Sequence, residues 1–561
     1  MTDNSFIADQ FSLLSKLMDI HGGNSFKSKS YAAAAFNIEK LTQPLSGIAA
    51  DQLSSIKGIG DSAAKKITEI LETGKLAVLE ELLLNTPAGV LEMLNIKGLG
   101  PKKIASIWKE MEIESLGELL YACNENRLLL YKGFGEKTQK NVQEAIEYYT
   151  QNQGSFLYAE VAAFFPSIKV YLEKHFSADA VAVTGAFRRQ DLTIDELEFV
   201  IAKNNAAVKP IFQTAQPPEL LEETANQLVY KLKNGLRLRL HTSPVNFAEQ
   251  LFFTTGPTSF TDAFTKQYTT PVFSGAENHD ASAFTNAGIT PVPAYLRGVS
   301  TILNKAANGL PEVITEKDIR GIIHTHSNWS DGTNTIEEMA KACIAKGYEY
   351  LVISDHSKSA FYANGLKEDR IREQHRYIDE LNEKFRPFKI FKSIECDILN
   401  DGNLDYTDNI LSTFDLIIAS VHANLKMTEE KAMVRLLNAI KNPYTTILGH
   451  MTGRLLLSRK GYPVDHKKII EVCAEQGVVI ELNAHPRRLD MDWYWIDEAM
   501  ERGVLISIDP DAHTTEGFDD CRYGVLAAQK GGLTKEKNLS SFSLSQFENF
   551  LAERKKYKNL Q

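Results

Sequence analysis

Seven short apolar runs punctuate roughly the last 240 residues, and nearly every one stops at a residue of metal-ligand type. IRGIIHTH ends on His324 and His326, YLVISDH on Asp355 and His356, and IFKSIECD carries Glu395. DLIIASVH ends on His422, TTILGH on His450, VVIELNAH on the Asn483/His485 pair, and VLISIDPDAH on Asp511 and His513. Runs of Val, Ile and Leu of this length read as parallel strands buried on both faces. TIEEMAKACIAK, EEKAMVRLLNAIKN and HKKIIEVCAEQ, lying between runs, place apolar residues at helical spacing. Strand and helix in alternation predict a (βα)7 barrel, a fold whose chemistry sits where the strands end. Six histidines and several carboxylates delivered to one rim predict a polynuclear metal hydrolase. Imidazole mixed with carboxylate suits Zn²⁺ or Mn²⁺ and fits Mg²⁺ or Ca²⁺ poorly.

With 561 residues the chain exceeds what one core can organise, so about three domains are expected. No basic stretch precedes an apolar core at the start, and no apolar run approaches the ~18–20 residues of a membrane span. Cys123, Cys343, Cys396, Cys473 and Cys521 form no CxxC pair, which argues for a reducing compartment and against a disulfide or Cys-zinc scaffold. A cytoplasmic location is therefore expected. A net charge of −10 speaks against a nucleic-acid binder taken alone, although acidic helix faces can outweigh a local basic footprint.

Such a footprint recurs three times, as IKGIGDSAAKKI (56–67), IKGLGPKKIA (96–105) and YKGFGEKTQKNV (131–142). Gly58/Gly60, Gly98/Gly100 and Gly133/Gly135 permit a tight turn that exposes main-chain N–H groups at the next helix start, a ready site for a backbone phosphate. Lys57, Lys65, Lys66, Lys97, Lys102, Lys103, Lys132 and Lys137 add charge that follows phosphates without reading bases.

The pattern resembles the helix-hairpin-helix motif. GNSFKSKSYAAAAFNIEKL (23–41), the first hairpin and ILETGKLAVLEEL (70–82) are similar to the N-terminal domain of family X DNA polymerases. Some members remove a deoxyribose phosphate there through a Schiff-base lysine. The matching position is Lys66, with Ser62 where a second lysine is often found. Residues from about 155 to 300 resemble the palm and thumb of that family. Its two Mg²⁺-binding aspartates are matched by Glu196 and Glu198, and its third by Arg239. Glutamate reaches one methylene further than aspartate, and a guanidinium takes a cation's place. Two-metal phosphoryl transfer is thus expected to be lost, leaving a scaffold or clamp in which Arg188, Arg189, Arg237 and Arg239 contact phosphate.

The series His-Thr-His, SDG, SDH, Ile-Glu, SVH, GH and DAH resembles the polymerase and histidinol phosphatase (PHP) domain. The resemblance implies three divalent metal ions. His324, His326, Glu395 and Asp511 hold the first; Glu395, His422 and His450 the second; Asp331, His356 and His513 the third. It also implies Glu395, Asp511 and Arg454 as catalytic, with Arg459, Arg487, Arg488 and Lys358 as further phosphate contacts. Asp355 is expected to orient a ligand histidine, Cys396 to face the core, and His375, His466 and His485 to be structural. The expected architecture is a helical domain with three hairpins (1–150), a degenerate palm and thumb (151–310) and a distorted (βα)7 PHP barrel (318–561). The expected function is a metal-dependent DNA phosphoesterase: a 3′→5′ exonuclease or 3′-end processing enzyme in repair, acting on single-stranded or gapped ends. The alternatives are a working gap-filling polymerase and a small-molecule phosphatase of the histidinol-phosphate type.

Overall fold

The computed structural model describes residues 4–39, 41, 43–150, 154–214, 216–268, 271–273 and 280–560. The chain divides into two units, Met1–Tyr149 and Thr150–Gln561.

The first unit is helical. Helices α1 (Asn4–Ile20) and α2 (Ser25–Glu39) precede α3 (Asp61–Thr73), α4 (Ala77–Leu84), α5 (Ala88–Glu92), α6 (Pro101–Lys109), α7 (Leu116–Asn124) and α8 (Glu136–Thr150). Their apolar stripes supply one core, in which Ile7, Phe11 and Leu14 meet Ile67, Ile104 and Ile146. α7 is fixed by a capping box, Ser115 accepting from the Glu118 N–H while Glu118 accepts from the Ser115 N–H. No such cap closes α3 or α6; each starts from a glycine, Gly60 or Gly100, with no side-chain hydrogen bond at the N-cap.

The second unit opens with an antiparallel pair, β1 (Phe156–Leu157) and β3 (Thr193–Ile194), beside a five-stranded sheet. That sheet runs in the order β2 (Val181–Thr184), β4 (Glu196–Ile201), β7 (Arg237–Thr242), β6 (Gln227–Lys231) and β5 (Glu219–Thr224). Strands β4 and β7 are parallel, with Glu196 opposite Arg237 and Glu198 opposite Arg239. Alternation buries Leu197, Phe199, Leu238 and Leu240 on the other face.

Next comes the barrel: β8 (Gly321–Thr325), β9 (Tyr350–Ile353), β10 (Lys389–Lys392), β11 (Glu395–Asp397), β12 (Ile418–Ser420), β13 (Ile447–Leu448), β14 (Val479–Asn483) and β15 (Ile506–Asp509). Every pairing is parallel and sequential. β10 and β11 are halves of one run broken at Ser393 and Ile394, so seven strand positions result. The ring closes where the His326 N–H donates to the Ala512 carbonyl (2.9 Å) and the Ala512 N–H to that of His324 (3.3 Å). β8, β9, β14 and β15 are buried along their whole length, as unbroken apolar runs require.

Palm and barrel are packed as one unit, and Lys530 helps to join them. Its almost fully buried Nζ donates to the Arg189 carbonyl and to Asp191 Oδ1, both at 2.8 Å, and stands 4.8 Å from the Trp493 ring centroid. Lys530→Met removes an almost fully buried donor and leaves both acceptors short of a partner. We expect it to destabilise the second unit by about 1–3 kcal/mol, read as a lower denaturation midpoint. An unchanged midpoint would show the contact to be dispensable. Among the described residues no helix is long and apolar enough to cross a membrane.

Candidate metal centre

Glu395 stands at the hub of the barrel's C-terminal rim. Its Oε1 lies 3.2 Å from His324 Nε2, 3.0 Å from His422 Nε2 and 2.9 Å from His450 Nε2. Its Oε2 lies 3.0 Å from His356 Nδ1 and 3.5 Å from His326 Nε2. Asp511 faces His326 Nε2 at 3.1 Å and His324 Nε2 at 3.5 Å. Asp331 closes the third side, 3.5 Å from both His356 Nε2 and His513 Nε2 and 3.9 Å from His326 Nδ1. All nine side chains expected as ligands therefore converge.

Local backbone geometry aims them. Strand β8 shifts register between Ile322 and Thr325, and His324 sits at φ 61°. Asp511 has φ 53°. Non-glycine residues held in the left-handed region carry strain that the surrounding structure must impose, and such residues cluster at functional sites.

Ligand atoms fall into three groups with members within 4.8 Å of one another: His324, His326, Glu395 and Asp511; His356, Glu395 and His422; and His326, Asp331, His356 and His513. The first matches the expected set. In the others the grouping shifts. His326 joins the Asp331 group because its Nδ1 faces that carboxylate while Nε2 faces Asp511. His356 likewise lies between Asp331 and Glu395, its ring 4.3 Å from that of His326. His450 reaches the hub through Glu395 alone.

Electrostatics favour cations. Burial opposes ionisation of Glu395, yet His422, His324 and His356 together hold its carboxyl well below the usual range. Asp511 is depressed in the same way against burial, by His324 and His326. Burial also works against a charged His422, but Glu395 and Asp397 raise it to about 10. His326 goes the other way, pushed down to about 3 by burial and by His513 and His356. Several buried ligand atoms have no hydrogen-bond partner among the described residues, including His324 Nε2, His326 Nδ1, Glu395 Oε2 and both Asp331 oxygens. Leaving so many buried polar atoms unsatisfied is costly, and divalent ions would satisfy them at a stroke. The donor set thus fits metal.

A further layer of acceptors sets the histidine tautomers. His422 Nδ1–H donates to Asp397 Oδ1 (2.9 Å), His513 Nδ1–H to the Asp511 carbonyl (3.0 Å) and His324 Nδ1–H to Glu481. Each bond turns the Nε2 lone pair toward the cluster. Sequence reasoning passed over Glu481 and Asp397. The available signal was a charged residue inside a run otherwise too apolar to be half-exposed, as with Glu481 in VVIELNAH.

Models of three domains match the chain: a helix-hairpin-helix domain at residues 2–76, a SAM-like helix-hairpin-helix tandem at 90–147 and a PHP domain at 323–485. Over 555 residues it is 31% identical to the DNA polymerase/3'-5' exonuclease PolX of Bacillus subtilis strain 168, covering 95% of this chain and 96% of that one. The chain belongs to the PolX family. The chain is also 28% identical over 252 residues to a probable phosphatase of Thermoanaerobacter sp. strain X514, a match covering 42% of this chain and 94% of that protein. A probable phosphatase of Caldanaerobacter subterraneus is 30% identical over 207 residues, 34% of this chain and 74% of its own. This PolX-family chain is accordingly a PHP-type phosphoric ester hydrolase with helix-hairpin-helix DNA-binding domains.

Two expectations for its barrel need correction. Arg454 does not face the cluster: its guanidinium is held by Asp492 and by the Arg488 and Leu489 carbonyls. A loop that folds back from β14 supplies all three acceptors, so Arg454 is a brace. The basic group at the metal centre is Arg488, whose buried Nε lies 3.5 Å from Asp511 Oδ2. Asp355 is engaged by a loop and a helix and not by a ligand ring among the hydrogen bonds of the described residues. It accepts from the Ser327 N–H (2.8 Å), Ser327 Oγ (2.7 Å), Ser330 Oγ and Gln374 Nε2 (2.6 Å), and so clamps the loop between His326 and Asp331.

In the palm of this PolX relative, Glu196 is paired with Arg239 through Nε and Nη2, and with Arg237 at 2.9 Å. Glu198 pairs with His241 at 2.9 Å. Arg188 is bound to Asp280 (2.8 Å) and Arg189 to Asp191 (2.6 Å). The palm arginines expected on phosphate thus all pair with carboxylates of the chain itself. In the hairpins Gly58, Gly98 and Gly133 have φ of 89°, 94° and 97°, which their turns require. The second glycines differ. A Cβ on Gly60, Gly100 or Gly135 would meet nothing within 4 Å, so nothing within the described chain demands glycine there. A phosphate approaching the helix start would. Lys57, Lys97, Lys102, Lys132 and Lys137 are exposed beside these turns, while Lys66 and Lys103 are half-buried, Lys66 lying over the Tyr31 ring.

Proposed function

We propose that this chain is a Mn²⁺- or Zn²⁺-dependent 3′→5′ exonuclease acting on single-stranded or gapped DNA ends, and that it has lost templated polymerisation. The observation that carries the reading is the convergence of nine ligand side chains on one rim, where His324 Nε2, His326 Nδ1, Glu395 Oε2 and both Asp331 oxygens are buried without a hydrogen-bond partner among the described residues. We assign His324, His326, Asp331, His356, Glu395, His422, His450, Asp511 and His513 as ligands of three ions, with Glu395 shared. Divalent ions held by these residues would supply a water nucleophilic at neutral pH and would offset phosphate charge. The chain's residues do the rest. Glu395 and Asp511 stay ionised to hold the ions; Asp397 and Glu481 keep His422 and His324 in the ligating tautomer; Arg488 offers a guanidinium beside Asp511 for a non-bridging phosphate oxygen. The hairpins Lys57–Gly60, Lys97–Gly100 and Lys132–Gly135, with Lys66 and Lys102, grip the backbone without reading sequence. Polymerisation is lost because Arg239 neutralises Glu196 from the chain itself and His241 engages Glu198.

A 5′-end-labelled strand incubated with Mn²⁺ is expected to shorten stepwise from its 3′ end. His326→Ala should abolish that ladder, and primer extension with dNTPs should give no product. Extension at a rate comparable to degradation would overturn the loss of polymerisation, and degradation undiminished in His326→Ala would overturn the assigned site. The chain's likeness to probable phosphatases favours one second reading, a small-molecule phosphatase. Single-stranded DNA added as a competitor would leave such an activity unaltered.

A further inference from the structure

We infer that Leu457, at the tip of a hairpin on the metal-bearing rim, is a wedge that parts the last base step of a paired DNA 3′ end, so that the freed nucleotide enters the metal centre. The inference rests on the exonuclease reading and adds to it a residue that decides which ends are cut.

The hairpin follows β13 and its candidate ligand His450. Leu455 and Arg459 pair through both of their backbone N–H groups, at 2.8 and 2.7 Å, which leaves Leu456, Leu457 and Ser458 as the tip. Several bonds fix its place. The Gly453 N–H donates to the His450 carbonyl (2.8 Å), the Leu456 N–H donates to the Arg487 carbonyl (2.6 Å), and Arg454 binds the Arg488 and Leu489 carbonyls. The tip is therefore seated on the loop whose Arg488 lies beside Asp511.

Nothing in the fold asks for leucine at this position. Leu455 is buried and Leu456 packs against the barrel core, whereas Leu457 is 51% exposed and joins no apolar cluster of the described residues. Scattered exposed leucines are ordinary on protein surfaces, so exposure alone decides nothing. The backbone does. Leu457 sits at φ 61°, in the left-handed region where glycine is at ease and a bulky side chain is strained. Only one other aliphatic side chain among the described residues has such a φ, Leu489, and it is buried. Glycine would form the same turn without strain. A leucine that neither packs on its own chain nor suits its own backbone points to a contact outside the chain.

The chemistry around the tip says what that contact is. An apolar side chain held out on a braced turn fits the gap between stacked planar groups, and proteins that kink DNA insert leucine between base steps in this way. Arg459 and Lys460 come directly after Leu457 and Ser458, and carry the sign of charge that flanking phosphates attract. On a paired end the terminal base must leave its partner before its phosphate can reach side chains as deeply buried as His324, His326 and Glu395. The wedge supplies that step. A single strand does not need it.

The test uses the full chain with Mn²⁺ and three 5′-labelled substrates: a single strand, a gapped duplex with a fully paired 3′ end, and the same duplex with its last three pairs mismatched. We expect Leu457→Gly to lower kcat/KM on the paired end about tenfold, the scale set by unstacking a base step, and on the other two by less than about twofold. Leu457→Met keeps an apolar wedge and should stay near wild type on all three. Leu457→Asn, which suits the backbone but is polar, should match Leu457→Gly. A 2-aminopurine in the terminal pair should brighten when wild type binds without Mn²⁺ and stay dim with Leu457→Gly. The denaturation midpoint of Leu457→Gly should equal or exceed that of wild type, because strain at positive φ is relieved. An equal loss on all three substrates, or no loss on the paired end, overturns the wedge while leaving the exonuclease reading intact. So does a lowered midpoint in Leu457→Gly, which would show that the leucine serves the fold. Failure of wild type to degrade the single strand removes the exonuclease reading and this one together.

Discussion

Glu395→Gln is expected to cost at least 10²–10³-fold in hydrolysis of DNA and to lower the metal content of the purified protein. Five imidazoles converge on this one carboxylate, three on Oε1 and two on Oε2, at 2.9–3.5 Å. It is fully buried and belongs to two of the three ligand groups. Glutamine keeps the shape and removes the charge, so the fold should survive while the ions lose their shared ligand. Bound metal ions supply several kcal/mol of transition-state charge stabilisation, and a loss of about 3–4 kcal/mol is the factor given above. Elemental analysis and an end-labelled DNA assay measure the two effects separately. A variant that retains full metal content and a tenth or more of wild-type activity would show that Glu395 is not the hub. Added Mn²⁺ should raise the melting temperature of wild type, since ions that bind the folded state stabilise it, and this increment should be missing in Glu395→Gln.

What the sequence revealed here was set by periodicity and by chain ends of strands. Buried parallel strands must be apolar throughout, so His324, His356, His422, His450 and Asp511 stand out as polar residues that only a rim can accept. Relations between strands were less accessible. Nothing along the chain distinguishes a histidine serving one group from one lying between two, as His326 and His356 do, because that depends on barrel curvature and ring rotation. Arg454 was misjudged for a similar reason. A basic residue after a strand can reach a phosphate or be captured by a loop from elsewhere, and here Asp492 and two carbonyls capture it. The palm was the converse case. Parallel pairing of β4 with β7 sets Arg239 opposite Glu198, and its guanidinium reaches diagonally to Glu196, a pairing that followed from side-chain charge. That His241 takes Glu198 depended on strand register, which no local pattern encodes.

Glu481→Gln is expected to weaken metal binding about 10–100-fold, the usual range for groups that support ligands from behind, without preventing it. Glu481 is fully buried within β14 and touches no ion-binding face itself. One oxygen accepts from His324 Nδ1–H and the other from the His450 N–H, so a single carboxylate aligns a ligand ring and the backbone that carries a second ligand. Glutamine offers one acceptor for two donors, and its NH₂ must face either an N–H of His324 or that of His450. One of the two alignments is lost, yet every ligand atom remains. Activity at micromolar Mn²⁺ should therefore fall with the metal affinity and recover as Mn²⁺ is raised, with kcat at saturation close to wild type. Glu395→Gln should not recover in that titration, because there a ligand itself is gone. Indistinguishable Mn²⁺ dependence in Glu481→Gln and wild type would mean that His324 finds its orientation without the carboxylate, and that the buried charge in β14 serves packing of the barrel interior alone.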